Sequence, residues 1–166
     1  MRRAGEIVKM SPVEKHETPL TEVELCRAKS NDLPEILALL DACQLPKEEL
    51  APHLSTALIA RRGNEIVGSS VLELYQQHAL LRSVAVEPSF RKKGLGVMLT
   101  REALNLAREF GVTNVYLLTD TASSFFSKLG FIPISRSDVP GAVKQSVEFT
   151  TVCPESATVM TISLPP

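Results

Sequence analysis

The chain has 166 residues, of which 44% are hydrophobic, and this is enough for one globular domain with a full core. Its formal net charge of -1 gives no general field that would favour nucleic acid, and no apolar stretch is long enough to cross a bilayer. The three cysteines are scattered and lack the Cys or His spacing of a zinc site, so no metal is predicted, and reduced thiols in the cytoplasm are the simplest interpretation.

The first twenty residues differ from the rest of the chain. Residues 1–20 are polar and hold two prolines, which predicts a flexible arm ahead of one folded domain over residues 21–166. The basic start is followed by mixed, charged residues instead of the apolar core of a signal peptide. Met10 is an alternative to Met1 as the first residue.

Apolar patterns along residues 21–166 predict strands interleaved with helices, because short Val, Ile and Leu runs are typical of buried strands and apolar residues three or four apart are typical of helices. Gly111 and Gly130 are expected to end two of the helices. The predicted strands cover 23–28, 56–60, 66–75, 80–86, 115–118, 131–134 and 157–164. The predicted helices cover 33–43, 47–53, 97–110, 122–129 and 139–149. This order indicates a single mixed α/β domain.

A basic, glycine-containing segment joins the fourth predicted strand to the long helix that follows. It reads Arg91-Lys92-Lys93-Gly94-Leu95-Gly96. The glycines let the backbone approach an anion closely, and the unpaired N–H groups of a helix's first turn attract negative charge by about 0.3–1 kcal/mol. The segment is neither a Walker A loop nor a dinucleotide fingerprint, because Leu99 stands where the fingerprint needs glycine. A pyrophosphate site and a plain solvated turn both remain open on these residues alone.

The order of elements and three short motifs resemble the GCN5-related N-acetyltransferase family. The motifs are Val84-Ala85-Val86-Glu87-Pro88, the Arg91–Gly96 segment, which is similar to the family's R/Q-x-x-G-x-G/A loop, and Phe126-Ser127-Lys128-Leu129-Gly130-Phe131, which is similar to its Y-x-x-x-G-F signature. The resemblance covers residues 23–164. It implies a mixed sheet of about six to seven strands that splays between strands 4 and 5, with helices on its faces.

The resemblance implies acetyl-CoA as the acetyl donor. The pyrophosphate is expected on the N–H groups from Lys92 to Val97, and the pantetheine arm beside Val84–Val86, paired like an extra strand. The N–H of Ala85 or Val86 would polarise the thioester carbonyl. The implied cofactor-binding residues are Val84, Ala85, Val86, Arg91, Lys92, Lys93, Gly94, Leu95, Gly96, Val97, Thr119 and Phe126.

Two of these positions depart from the family's pattern. Thr119 replaces an Asn that often contacts pantetheine, and it still offers a hydroxyl. Phe126 replaces the Tyr that usually protonates the CoA thiolate, and a phenyl ring cannot donate a proton. Because a thiol has a pKa of about 8.5, thiolate departure without a dedicated acid is tolerable. Tyr75 and Tyr116 are the only phenols, and Tyr75 is the candidate alternative while Tyr116 is expected in the core.

Closer similarity extends to two subgroups with small acceptors. Residues 79–86, 117–122, 138–145 and 153–157 resemble acetyltransferases encoded in bacterial arsenic-resistance clusters, and the run from Leu117 onward is also similar to the catalytic domain of N-acetylglutamate synthases. Both imply a small, amino-acid-like amine. At pH 7 an α-amine of pKa near 8 costs about 1.4 kcal/mol to deprotonate, against about 4.6 kcal/mol for a lysine amine, which agrees with this acceptor class.

The acceptor residues are expected on the third and fourth strands. Alternation places Glu73 on one face with Tyr75, and Arg82 on one face with Leu80 and Val84. A mid-sheet Arg needs a partner, and Glu73 is the nearest candidate. Either the pair is a plain salt bridge, or Arg82, beside Ser83, binds the acceptor's carboxylate bidentately while Glu73 serves as base. Cys153 is a further candidate for the pocket.

Three functional hypotheses therefore remain. The first is an N-acetyltransferase for a small amine, with a link to arsenic or toxic amino-acid resistance. The second is an enzyme like N-acetylglutamate synthase, although residues 145–159 contain no Arg or Lys to meet a second carboxylate. The third is a non-enzymatic acetyl-CoA sensor, which the loss of the Tyr allows. Homodimers are common in the family, so the oligomeric state stays open.

Overall fold

A computed structural model describes residues 20–166, so the predicted arm and the choice between Met1 and Met10 lie outside the described residues. The strands are β1 Val23–Arg27, β2 Ala57–Arg62, β3 Glu65–Tyr75, β4 His78–Val86, β5 Asn114–Thr119, β6 Ile132–Ile134 and β7 Thr158–Ser163. The α-helices are α1 Leu33–Ala42, α2 Leu95–Glu109 and α3 Ser123–Lys128.

The seven strands form one mixed sheet in the order β1-β2-β3-β4-β5-β7-β6. Only β4 and β5 are parallel neighbours, and α2 makes the connection between them. Helix α2 packs on β2, β3 and β4, while α1 and the 3₁₀ helix Ala51–Thr56 contact β3. The predicted α/β domain with a six- to seven-stranded mixed sheet is confirmed.

Helix α2 lies unusually close to β3. A Cβ atom added to Gly68 would stand 2.7 Å from Leu99 Cδ1, so the Leu99 side chain packs onto the strand at a residue that has no side chain. Leu99 is fully buried in a cluster with Ala60 and Val67. The packing fixes the helix, and therefore its first turn, relative to the end of β4.

Strands β4 and β5 separate soon after they begin. Their parallel pairing runs only from His78 with Asn114 to Leu80 with Tyr116. On its other edge, β4 stays paired with β3 as far as Val86. The half of β4 after Leu80 therefore presents an open edge toward β5.

A β-bulge interrupts β4 at the same place. The register with β3 moves from Val71 opposite Arg82 to Ser69 opposite Ala85, which leaves one extra residue on β4. Ser83 lies in this interval with a φ of 57°, and its carbonyl accepts a hydrogen bond from Ser69 Oγ at 2.8 Å. The prediction that Val84 shares a face with Leu80 is wrong, because the bulge breaks the alternation and the two side chains pack in different clusters.

Two predicted helices are not α-helices. The segment predicted over 139–149 forms the 3₁₀ turn Val143–Gln145 and the π-helical turn Glu148–Val152, because the non-helical ψ of 142° at Ser146 separates the two turns and Gly141 has a low helix propensity. The helix predicted over 47–53 is instead the 3₁₀ helix Ala51–Thr56.

Candidate active site

A single cavity of about 1090 Å³ occupies the gap between β4 and β5. Residues 81–86 of β4 form one wall and residues 117–119 of β5 form the other. One end is closed by the Arg91–Gly96 segment and the first turn of α2, and the other end by residues from the 148–157 tail. The cavity therefore joins the glycine-containing segment to the buried charges of the sheet.

The start of α2 forms an anion cradle. Gly94 precedes the helix in the left-handed conformation with a φ of 86°, and Lys92 has a φ of 64°. The first N–H bonded back along the helix is that of Met98, to the Gly94 carbonyl, so the N–H groups of residues 95–97 have no helical partner. Arg91 holds the segment against the end of β4 through a 2.9 Å hydrogen bond from Nε to the Val86 carbonyl.

The cradle has open space at Gly94 and two cations, Arg91 and Lys92, on the cavity wall. Nothing lies within 4 Å of a Cβ built on Gly94, so the position is open to a ligand. A Cβ on Gly96 would stand 3.3 Å from Phe125 Cζ, which makes the glycine a close contact of the cavity wall. Of the predicted cofactor residues, only Lys93 is outside the wall, and its Nζ lies 5.8 Å from the centre of the Phe90 ring.

Phe126 and Thr119 line the middle of the cavity. The Phe126 ring is buried and makes edge contacts with Phe125 and Phe131, at centroid distances of 5.0 and 5.7 Å. Thr119 Oγ1 accepts a 3.0 Å hydrogen bond from the Ala122 N–H, so its hydroxyl helps to shape the turn before α3. Neither side chain brings an ionisable group to this part of the cavity.

The far end of the cavity is polar and buried. Among residues 20–166, three buried polar side chains line the cavity, and these are Arg82, Ser83 and Glu148. Arg82 Nη1 donates to Glu73 Oε2 at 2.9 Å, and Arg82 Nε lies 3.3 Å from Glu148 Oε1 and from Ser83 Oγ. Arg82 Nη2 is buried without a hydrogen-bond partner among the described residues. Such an orphan donor costs about 1–3 kcal/mol unless a ligand or water meets it.

Glu73 and Tyr75 lie behind Arg82 and do not line the cavity. Tyr75 Oη donates to Glu73 Oε1 at 2.6 Å, and His53 Nε2 is 3.7 Å from Glu73 Oε2. Burial opposes the charge of Glu73, but hydrogen bonds from Tyr75, Ser146 and Arg82 outweigh it and lower the pKa of the carboxyl. Burial and the bond to Glu73 raise the pKa of Tyr75. The sequence-based pairing of Glu73 with Arg82 is thus present, while the catalytic roles of Glu73 and Tyr75 stay predictions.

Glu148 is a buried, charged cavity residue that sequence reasoning missed. It accepts a 2.9 Å hydrogen bond from Cys153 Sγ at Oε2, and burial raises the pKa of its carboxyl. Burial and the contact with Glu148 raise the pKa of Cys153, which therefore stays a thiol. The sequence signal that could have indicated this residue is its isolation, since Glu148 is the one acidic residue between Asp138 and Glu155.

The part of the chain that the structure describes, residues 20–166, contains no group of three His, Cys, Asp or Glu side chains that could hold a metal ion. No helix within the same residues is long and apolar enough to cross a membrane.

The profile of the acetyltransferase (GNAT) family matches residues 21–131, about two thirds of the chain. The chain belongs to this family. It is therefore an acyl-CoA-dependent N-acetyltransferase, and the predicted enzyme class and use of acetyl-CoA are confirmed.

The two relatives described next are each less than 30% identical to this chain. The uncharacterised N-acetyltransferase CT2212 of Chlorobaculum tepidum is 29% identical over 109 residues, which cover 65% of this chain and 68% of that protein. An amino-acid acetyltransferase of an Enterobacter species is 23% identical over 135 residues, or 76% of this chain and 30% of the enzyme. This chain thus spans under a third of that enzyme's length.

Solved structures show the same fold. N-acetylglutamate synthase from Neisseria gonorrhoeae, crystallised with coenzyme A and L-arginine, aligns with a TM-score of 0.73 and 22% identity over 86% of this chain and 33% of its own. Rv2747 from Mycobacterium tuberculosis, in complex with CoA, aligns with a TM-score of 0.72 and 22% identity over 86% of this chain and 99% of its own. These similarities identify the architecture and leave the acceptor to be argued from the site.

Proposed function

We propose that this N-acetyltransferase moves the acetyl group of acetyl-CoA to the primary amine of a small, amino-acid-like acceptor by direct attack. The observation that carries the proposal is the cavity between β4 and β5, which runs from the anion cradle at one end to the buried Arg82 and Glu148 at the other. Both substrates can enter this space together, so no covalent enzyme intermediate is needed.

The donor would be held by backbone more than by side chains. The free N–H groups of residues 95–97 would take the pyrophosphate, with Arg91 and Lys92 adding positive charge. The open edge of β4 over Val84–Val86 would pair with the pantetheine arm. Acetyl-CoA supplies an activated acyl group whose thiolate leaves readily.

The acceptor's carboxylate would meet Arg82. The bidentate contact expected from the sequence is not available in this arrangement, because Nη1 and Nε already face Glu73 and Glu148. The orphaned Nη2 leaves one nitrogen for the ligand, and Ser83 Oγ is the neighbouring hydroxyl. A single carboxylate fits this end, which favours a neutral amino acid or an analogue over glutamate.

The relatives support the class of acceptor without fixing it. Amino-acid acetyltransferases of Enterobacter, Yersinia and Escherichia coli are among the similar proteins, at 23–26% identity. The role in arsenic or toxic amino-acid resistance rests only on the resemblance of residues 79–86, 117–122, 138–145 and 153–157. The cytoplasmic location and a homodimer stay predictions.

A CoA-release assay across an amine panel tests the proposal. The panel contains amino acids, phosphinic or arsinic amino acids, and polyamines. We expect CoA-SH release with at least one amino acid or analogue and none with polyamines, which lack a carboxylate for Arg82. Tight acetyl-CoA binding without release in the whole panel would contradict the proposal and favour the sensor that the Phe126 substitution allows.

A further inference from the structure

The cavity wall offers one protected group able to take a proton. Of the carboxylates that the structure describes, Asp120 and Glu148 line the cavity, and only Glu148 is buried. Glu73, the base expected from the sequence, is separated from the cavity by Arg82 and already accepts bonds from Tyr75 and Arg82. Glu148 is therefore the carboxylate that a bound acceptor would reach.

The charges around Glu148 favour a cation beside it. Two carboxylates, Glu73 and Glu148, face one guanidinium, Arg82. Burial lowers the pKa of His53, which faces Glu73, so the imidazole adds no charge near neutral pH. The buried group thus carries an excess of one negative charge, which an ammonium group at the cavity end would balance.

We propose that Glu148 is the catalytic base that removes a proton from the acceptor's ammonium group, an assignment that rests on the proposed acetyl transfer. Burial makes this carboxylate more basic than an exposed one. Cys153 is a positioning residue, because its thiol donates to Oε2 while Oε1 faces Arg82. The groups that face Glu148 are Arg82 from β4, Glu73 from β3, Glu48 from the segment after α1, and Cys153 from its own loop.

The proton balance is complete with these groups. The acceptor's ammonium gives one proton to the Glu148 carboxylate, and the free amine attacks the thioester carbon with its lone pair. The new C–N bond forms, the C–S bond breaks, and its electron pair leaves with the CoA thiolate. The second amine proton neutralises that thiolate, and Glu148 returns its proton to solvent. The net reaction releases one proton for each amide formed.

The test compares Glu148→Gln with Glu155→Gln, an exposed carboxylate on the same tail outside the cavity. We expect kcat with the best acceptor to fall about 10²–10⁴-fold in E148Q, with loss of the limb of the pH–rate profile that rises with deprotonation of the base. E155Q should keep the wild-type kcat and the same limb of the pH–rate profile. The Kd of acetyl-CoA, measured by calorimetry, should stay within about twofold in both variants because the cradle is at the other end of the cavity.

A stability readout separates this role from a structural one. A carboxyl whose pKa is raised by folding stabilises the protein below its unfolded pKa, and this contribution is lost as the pH rises through the folded value. E148Q should therefore be at least as stable as the wild type at neutral pH. If E148Q does not fold, Glu148→Asp keeps the carboxylate, and we expect it to retain the pH limb at reduced kcat.

The outcomes distinguish this assignment from the proposed function. Wild-type turnover with unchanged kcat and pH profile in E148Q would overturn the role of Glu148 alone. Acetyl-CoA binding without wild-type turnover of any amine would overturn both.

Discussion

The buried ion pair of Glu73 and Arg82 ties the stability of the sheet to pH. Hydrogen bonds outweigh burial and lower the pKa of Glu73 below its usual 4.5. A lowered pKa contributes stability above the unfolded value, and the contribution is lost as the pH falls through the folded value. The pair is therefore expected to weaken only in acid, below about pH 4.5.

Glu73→Gln tests this expectation. We expect the variant to be less stable than the wild type at pH 7 by up to about 3 kcal/mol, because the lowered pKa of Glu73 shows that its charged form is favoured by folding, in a buried pair with Arg82. The difference should shrink as the pH falls below 4.5, in urea unfolding at several pH values. A difference that grows in acid would contradict the assignment of a lowered pKa.

Phe126→Tyr tests whether the missing phenol matters. The Phe126 ring is packed between Phe125 and Phe131. A general acid typically raises the rate by about 10²–10⁴-fold, but only where the leaving group needs protonation. Since a thiolate of pKa about 8.5 leaves unaided, we expect kcat to change by less than about threefold. An increase of tenfold or more would show that thiolate departure limits the wild-type enzyme.

Alternation along β3 and β4 was sufficient to predict that Glu73 and Arg82 would meet, since paired strands place such residues side by side. It could not predict Glu148. The position of that carboxylate depends on a π-helical turn and on the thiol of Cys153, and neither follows from local periodicity.

At the scale of single elements, the start of α2 is the proposed site of donor binding. Gly94 and Gly111 bracket the helix, both have positive φ, and neither has an atom within 4 Å of an added Cβ. Only Gly94 lines the cavity. The two glycines therefore form a matched pair for mutation.

We expect Gly94→Val and Gly111→Val to lose similar stability, about 1–2 kcal/mol, because a side chain is strained at positive φ. Only Gly94→Val should weaken acetyl-CoA binding, by at least about tenfold, or 1.4 kcal/mol, in calorimetric titrations. Equal affinities in the two variants would show that the cradle does not hold the pyrophosphate.

The contact of α2 with β3 predicts a larger structural effect. Gly68→Ala would place a methyl group 2.7 Å from Leu99 Cδ1, so the helix or the Leu99 side chain must move. We expect a loss of about 1–3 kcal/mol in denaturant unfolding, as for other overpacked cores. Gly68→Ala combined with Leu99→Ala should recover part of the overpacking cost, and no recovery would contradict the clash.

Element boundaries show where sequence patterns are informative. The long apolar periods of β3, β4 and α2 were predicted to within two residues. The segment from 139 to 149 was predicted as a helix but forms short turns, and its apolar residues Val139, Val143 and Phe149 pack in one cluster with Leu80 and Tyr116. Tertiary contacts decide the conformation there, and a single sequence does not display them.

At the scale of the whole molecule, donor binding and folding should be coupled. Acetyl-CoA would contact both separated strands and the first turn of α2, elements that come together only in the folded chain. A ligand at about 100 times its Kd stabilises the native state by about 2.7 kcal/mol. The thermal stability of the whole domain should therefore increase when a ligand binds at the cradle.

Saturating acetyl-CoA is expected to raise the melting temperature by roughly 5–10 °C, since about 1 kcal/mol corresponds to 2–4 °C for a domain of this size. Differential scanning fluorimetry with acetyl-CoA, and with adenosine as a control that lacks the pyrophosphate, measures this shift. A similar shift with adenosine would place the binding energy outside the cradle.

The single extra residue at Ser83 has a consequence for how new specificities arise. It divides β4 into a segment before it, which carries Arg82, and the segment Val84–Val86 after it, which lines the part of the cavity proposed for the donor. Because the bulge absorbs the change of register, substitutions at the first segment need not disturb the second. A lineage could exchange one amine for another by altering a few positions there and in the tail, and every descendant would inherit the same acetyl donor.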